Sequence, residues 1–543
     1  MFWADEIAAR AAEAAEASGT GASLVVNDSK TPSGTVHVGS LRGPVIHDEI
    51  WRALRRMGVA ATYRYGVDDL DPMDSQALLT PDAVDRSMGL PLAHVPAPAG
   101  SDAASYARHF VGELFLGTFE PLGLHPEVYW MSEVYAAGDM DRYIRAALDA
   151  AETVRTIYRE VSHVEKEPGW LPVSAICTNC GRVGTTVATD WDGETVAFEC
   201  RADLVEWATG CGFSGRISPF GGGAKLPFNV DWAAKWSLFD IAVEGCGKDL
   251  ATAGGSRDRS DAISRQVFER EPPINVVYEF INIGGRKMST SKGRGVPAHE
   301  IAAVMPRNEL RLLLIRHKPN VSFDFDPVET DAIPRQVDEF DRLAAATAGR
   351  PVRGELPADA ERLFAASLVD VDADVSAEAA AFRPAFGHLA LLVQLPGVDV
   401  GERAAAEKGA ALTDHEVELL EERSTAARAW LEAYAPPDAR IAVTSSLPND
   451  VADLTAEQRR FLSRLSTWAE RDAPASGEAW QALIFLSAKH TELPAGEAFR
   501  TIYVAFLGRT NGPRAGWLLA SLDPDFVYAR LWEASVDPQH TPE

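Results

Sequence analysis

Apolar residues recur along this chain at two spacings, and the switches between them divide it. Residues 4–18 are rich in Ala and Glu and read as an amphipathic helix. Ser23-Leu24-Val25-Val26-Asn27 reads as a short buried strand. From Val38 to Met57 the apolar residues Leu41, Val45, Ile46, Ile50 and Leu54 fall at helical spacing. Residues 61–67 form a second strand-like run that ends in Asp68-Asp69-Leu70-Asp71. Strand, turn, helix, strand, then acidic residues at the strand end predict a Rossmann-like half with its site at the carboxyl edge of a parallel sheet. A third strand is predicted at 128–131, followed by a helix over about 139–162 carrying Tyr143, Ile144, Leu148, Val154 and Ile157.

The pattern breaks at 165–225, which holds four of the five cysteines, many glycines and short β-like runs, and reads as an insertion. The sheet resumes over 274–281. Beyond Pro327 the chain turns helical, with Ala/Leu/Glu/Arg-rich runs near 333–348, 357–369, 413–434, 455–471, 476–490 and 496–508. The expected fold is an α/β Rossmann-like catalytic domain with a parallel sheet and a zinc-ribbon-like insertion, followed by an all-α C-terminal helical domain. Its expected boundaries are 1–164 for the first catalytic half, 165–225 for the insertion, 226–328 for the second half and 329–543 for the helical domain.

Composition narrows the class. At 543 residues the chain exceeds one usual core. Its 46% hydrophobic and 24% charged residues are ordinary for a globular protein. There is no apolar run of membrane-spanning length, and the start is acidic without a basic leader, so no membrane partner and a cytoplasmic location are expected. A net charge of −27 argues against indiscriminate nucleic-acid binding and leaves room only for a local basic surface. Such a cationic strip is expected from Arg286, Lys287, Lys292 and Arg294, then Arg307, Arg311, Arg316 and Lys318.

Two short stretches carry the chemistry. Thr31-Pro32-Ser33-Gly34-Thr35-Val36-His37-Val38-Gly39-Ser40 follows the first strand, and Gly285-Arg286-Lys287-Met288-Ser289-Thr290-Ser291-Lys292-Gly293 follows the resumed sheet. Together they resemble the H-x-G-H and K-M-S-K-S elements of class I aminoacyl-tRNA synthetases. That resemblance implies an ATP site, with Mg2+ accompanying the nucleotide. His37, Ser40, Lys287 and Lys292 are then the expected catalytic residues. Thr31, Pro32, Ser33, Gly34, Gly39, Met288, Ser289 and Ser291 join them in holding ATP. The residue types fit the task. Adenylate formation builds charge on the α-phosphate and frees pyrophosphate, so positioning and charge stabilisation dominate. His37 at a helix start donates to a phosphate oxygen beside free backbone N–H groups. Lysine is a compact, mobile charge suited to a departing pyrophosphate. The chain holds 52 Lys and Arg together but only ten lysines, and Lys30, Lys287 and Lys292 fall at these motifs.

Cys177-Thr178-Asn179-Cys180-Gly181-Arg182-Val183-Gly184 is a C-x-x-C-G-x-x-G knuckle, half of a zinc ribbon. Cys211-Gly212-Phe213-Ser214-Gly215 repeats the turn, but Ala208 stands three before Cys211, and Cys200 is the remaining thiolate. A structural Zn2+ on Cys177, Cys180, Cys200 and Cys211 is one reading. The other is a former ribbon that packs its cysteines as small apolar residues.

Over nearly its whole length the chain is similar to the class I lysyl-tRNA synthetases. The carrying motifs are T-P-S-G-x-V-H-V-G, the K-M-S-x-S-K-G of Lys287 to Gly293, Val230-Asp231-Trp232-Ala233-Ala234-Lys235-Trp236, and Gly247-Lys248-Asp249-Leu250-Ala251-Thr252-Ala253-Gly254-Gly255-Ser256. Phe506 to Gly516 is similar to the end of the helical anticodon-binding domain. The resemblance implies L-lysine and tRNA, a lysine tRNA by its type, as partners. Ser29, Thr31, Asp68, Asp69, Trp236 and Tyr278 are the substrate-binding candidates. A carboxylate of the 68–71 loop is expected to hold the lysine ammonium, because a buried cation needs one. Lys248 and Asp249 read either as an ion pair shaping the site or as a surface pair. Three positions depart from the family pattern: Ser29 for a Gly, Ser40 for an Asn and Leu250 for a His. A competing reading therefore keeps the fold and the ATP chemistry but acts on another amino acid or a small carboxylate without tRNA. A non-catalytic nucleic-acid-binding protein built on the ribbon is a third, disfavoured by both ATP motifs and the acidic charge. The sequence leaves the oligomeric state open, with a monomer the simpler expectation.

Overall fold

In a computed structural model the described residues are 2–18, 23–74, 80–288, 295–395 and 398–536. The chain folds as two compact units. One comprises Met1–Ala302, Leu310–Phe325 and Glu355–Ala373, and the other Ala303–Glu309, Asp326–Gly354 and Asp374–Glu543.

The first unit is built on a four-stranded parallel sheet. After helix α1 (Trp3–Ser18), strand β1 (Leu24–Lys30) leads into a single 3-10 turn, Val38–Leu41, and helix α2 (Arg42–Arg56). Strand β2 (Ala61–Val67) follows, then β3 (Glu127–Trp130). β2 pairs in parallel with β1 on one side, Asp28 opposite Tyr65, and with β3 on the other. The fourth strand, β4 (Ile241–Glu244), enters late in the chain and pairs on the far side of β1, with Asn27 opposite Glu244. The order β3-β2-β1-β4 places the amino-terminal strand centrally, so its carboxyl end is flanked on both sides.

α2 reads as amphipathic but is buried nearly all round. Its charges are met inside: Asp48 pairs with Arg52 at 2.7 Å and with Arg311 at 2.6 Å, and Glu49 with Arg311 at 2.9 Å. Arg311 is thus fully buried and does not join a surface cationic strip. The helix expected over 139–162 is broken at Ala150 into Asp141–Asp149 and Ala151–Ser162. The strand expected over 274–281 is divided. Val277–Tyr278 pairs with Cys246–Gly247, whereas Ile281–Ile283 turns into a separate small sheet with Arg286–Lys287 and Phe323–Asp324. Within 165–225, strands Thr186–Trp191, Val196–Cys200 and Ser214–Ile217 form an antiparallel sheet. The strand Ala224–Lys225, paired antiparallel with Ser174–Ala175, then delivers the chain to helix α3 (Phe228–Leu238).

The second unit is helical. Its core is formed by Ala456–Asp472, Gly477–His490, Ala495–Leu507, Ala515–Ser521 and Pro524–Ser535, around Phe461, Leu465, Ile484, Ile502 and Leu518. Two helices of this unit begin with a capping box, Thr413 with Glu416 and Thr455 with Gln458, which satisfies free N–H groups at each start. The helix Ala360–Ser367 belongs instead to the first unit, which its Ala-rich sequence does not distinguish from the later helices. Among the described residues no helix is long and apolar enough to cross a membrane.

Candidate active site

The carboxyl ends of β1, β2 and β4 open on a cleft of about 390 Å3. From the first motif and the strand before it, Ser29, Thr31, Ser33, His37, Gly39 and Ser40 line it. Asp68, Tyr278 and Met288 line it from elsewhere in the chain. Pro32 and Gly34 lie within the same loop but are not on its wall.

The two motifs, 250 residues apart in sequence, share this cleft. The Val38 N–H donates to the Val296 carbonyl at 2.8 Å, and the Ala298 N–H to the Val36 carbonyl at 2.9 Å. Chain leaving the second motif is thus laid along the first. Gly295, at φ +130°, makes the junction possible: a Cβ there would stand 3.0 Å from His37 Cβ and 3.1 Å from Met288 Cβ. Lys287 enters by backbone pairing with Asn282, which sets Met288 against the cleft. Ser289, Ser291 and Lys292 lie outside the described residues.

Behind the cleft lies a buried polar network. Lys235 of α3 donates to Asp68 at 2.6 Å and lies 3.6 Å from Asp231. Burial alone would strip its proton, but the two carboxylates outweigh that and raise its pKa well above the ordinary lysine value. Burial raises Asp68, and Lys235 pulls it back. Asp69 turns away from the cleft and takes the N–H and hydroxyl of Ser132. Asp71 accepts from Thr31 at 2.8 Å and pairs with Lys225 at 2.9 Å, so the strand returning from the Cys-rich insertion anchors the first motif. The charges of the 68–71 loop are therefore largely spent inside the protein.

Glu244, at the end of β4, differs. Its Oε1 accepts from the Asn27 amide at 2.8 Å and its Oε2 from the Trp236 indole. Among the described residues it has no ion pair through its carboxylate. Burial raises its pKa, with Lys235 opposing at longer range. It lines the cleft beside Phe228 and Trp232, whose rings stack at 5.5 Å. Trp236 is itself fully buried and reaches the cleft only through this hydrogen bond. Lys248 pairs with Glu279, not with Asp249.

The profile of the family described as tRNA synthetases class I (K) matches residues 1–366. The chain belongs to that family. Among curated proteins similar to this class I (K) synthetase, the lysine–tRNA ligase of Methanosarcina barkeri (strain Fusaro) is 32% identical over 522 residues, covering 93% of each chain. The lysine–tRNA ligase of Archaeoglobus fulgidus is 33% identical over 537 residues, covering 98% of this chain and 99% of its own. A solved glutamate tRNA ligase from Elizabethkingia meningosepticum has 11% identity and a TM-score of 0.43, a likeness too distant to carry weight.

In the insertion of this synthetase, Cys177, Cys180, Cys200 and Cys211 come together with their sulfurs all within 4.8 Å of one another. Cys177 and Cys211 are 3.7 Å apart, as are Cys180 and Cys200. A tetrahedral ion with metal–sulfur bonds of about 2.3 Å would set sulfurs roughly 3.8 Å apart. The donor set therefore fits zinc. The Asn179 amide donates to Cys211, whose thiol is lowered to about 6, whereas burial raises the thiols of Cys177 and Cys200. Cys246 lies apart and is buried.

Sequence reading missed Glu244, Asp28, Phe228, Trp232, Lys225 and Lys235. For Glu244 a signal existed: Ile241-Ala242-Val243-Glu244 is an apolar run closed by an acid, the same pattern that singled out Asp68. Lys225 and Lys235 are two of the ten lysines in an arginine-rich chain.

Proposed function

We propose that this protein attaches L-lysine to tRNA(Lys) through a lysyl-adenylate, as an ATP-dependent aminoacyl-tRNA ligase. The carrying observation is the one cleft shared by both ATP motifs and a buried carboxylate, Glu244, that has no ion pair among the described residues. A cation is what such a group stabilises, and the ε-ammonium of lysine supplies one. Phe228 and Trp232 beside it suit the methylenes of the side chain and the face of a cation. In this reading Glu244 replaces the 68–71 loop as the ammonium acceptor, because Asp68 is already met by Lys235.

The chemistry follows from placement. The lysine carboxylate attacks the α-phosphorus of ATP, the bond to the bridging oxygen breaks, and pyrophosphate leaves. His37, Ser40 and the backbone of the Thr31–Gly39 loop hold the phosphates. Lys287 and Lys292, with Ser289 and Ser291, follow the charge moving onto pyrophosphate. Mg2+ accompanying ATP would supply charge screening of the phosphates. A ribose hydroxyl at the tRNA 3′ end then attacks the activated carbonyl and AMP leaves. The helical unit serves the anticodon, and Zn2+ on the four cysteines fixes the insertion. The reaction is one of the cytoplasm. Charging of a tRNA(Lys) transcript with labelled lysine tests this reading. Accumulated aminoacyl-tRNA is expected, and activation of lysine without any transfer to tRNA would contradict it.

A further inference from the structure

Asp28 is a buried carboxylate on the cleft wall for which the reaction above has no use. Side chains alternate along β1, so Asp28 faces α2 while Asn27, which holds Glu244, faces α3. The two acids thus stand on opposite faces of the sheet, at one edge, and both reach the same cleft.

Among the described residues no charged cation forms an ion pair with Asp28. The Ser29 N–H donates to Oδ1 at 2.9 Å. From α2, His47 Nδ1 lies 3.7 Å from Oδ2, but that nitrogen donates to the Gly43 carbonyl while Nε2 accepts the Gly245 N–H. A ring with one nitrogen donating and the other accepting is neutral, and burial depresses its proton affinity further. Tyr63 and Tyr65 of β2, and Tyr278, face Asp28 as phenols that burial keeps neutral. Lys30 attracts and Asp68 repels, without an ion pair from Lys30 to Asp28 among the described residues. Gly43 is required here: a Cβ would stand 2.7 Å from Asp28 Oδ2 and 2.9 Å from the Tyr278 hydroxyl.

We propose that Asp28 accepts the α-ammonium of the amino-acid substrate, so that the cleft grips a diamino acid by two carboxylates, one on each face of the sheet. This rests on the reading that lysine is the amino acid activated. The assignment of ends follows from what lies on each face. His37 and Ser40 stand just before α2, where the phosphates bind, so the reacting carboxylate and the α-carbon belong on the Asp28 side. Phe228, Trp232 and Glu244 stand on the α3 side, which suits the methylenes and the ε-ammonium.

A pH signature follows. Burial raises the Asp28 carboxyl to about 7, with the Ser29 N–H and Lys30 opposing and Asp68 adding. An arriving ammonium favours the ionised form. Lysine binding therefore expels a proton near neutrality, and lysine affinity rises with pH through about 7 before levelling. Glu244 is raised by burial as well, so the two acids are separated by ligand. 6-Aminohexanoate keeps the ε-ammonium and carboxylate of lysine but lacks the α-ammonium.

Calorimetric titration of the full-length protein with both ligands, from about pH 5.5 to 8.5, tests this in wild type and Asp28→Asn. Wild type is expected to bind lysine up to about tenfold more tightly per pH unit below the Asp28 midpoint, with a shallower dependence for 6-aminohexanoate. Asp28→Asn is expected to lose on the order of 10²-fold in lysine affinity, to lose the extra pH dependence, and to bind 6-aminohexanoate and ATP as wild type does. Equal losses for both ligands, or unchanged lysine binding in the variant, would overturn the proposal. Should Asp28→Asn fail to fold, the wild-type comparison decides: identical pH profiles for the two ligands reject it. A wild-type enzyme that activates no lysine would instead sink the reading on which it rests.

Discussion

Single residues show how an arginine-rich chain spends its few lysines. Lys235 is sealed between Asp68 and Asp231, and Lys225 beside Asp71. Lys235→Met would leave two acids buried without their cation. A loss of about 3–5 kcal/mol in urea unfolding is expected, and wild-type stability would mean that the network is dispensable. Glu244→Gln separates recognition from chemistry. The lysine KM should rise on the order of 10²-fold while the ATP KM holds; equal changes in both would point to a structural role. Lys287→Ala should slow adenylation on the order of 10²–10³-fold, read by pyrophosphate exchange at saturating substrates. Near-normal exchange would remove that lysine from the phosphate site. The residues carrying these predictions were unequally legible. His37 and Lys287 stand in dense motifs. Glu244 closes a short apolar run, a signal shared with Asp68, and its place in the site follows only when β4 pairs beside β1 and brings it against Asn27.

Elements were legible where one force decided them. β1 and β2 are short apolar runs closed by turn-forming or acidic residues, and they fold as read. α2 has the spacing of a half-exposed helix, yet ion pairs to distant Arg311 let its polar side be buried too. That outcome depends on a partner more than 250 residues away, which no local pattern contains. The break at Ala150 has neither Gly nor Pro to announce it, and the 274–281 run splits because its ends are drawn to different neighbours. The Cys-rich insertion showed half a ribbon in sequence, and folding supplies the irregular fourth ligand by bringing Cys200 to Cys180. Purified protein should carry about one zinc per chain, and Cys177→Ser should release it and lower the melting temperature. Metal-free protein of full stability would make these cysteines packing residues only.

The whole molecule is an acidic body of net charge −27 that must nonetheless handle a polyanion. Binding of tRNA then relies on local cations, and the KM for tRNA should climb steeply with salt while the lysine KM moves little. A salt-insensitive tRNA KM would contradict electrostatic capture. Above the scale of any one contact, the central claim is that two ATP motifs and a diamino-acid cleft form one machine for lysine. Pyrophosphate exchange with each of the twenty amino acids, with and without tRNA(Lys), tests that claim most directly. The account predicts exchange with lysine and not with the other nineteen, whereas robust exchange with a different amino acid and none with lysine would contradict it.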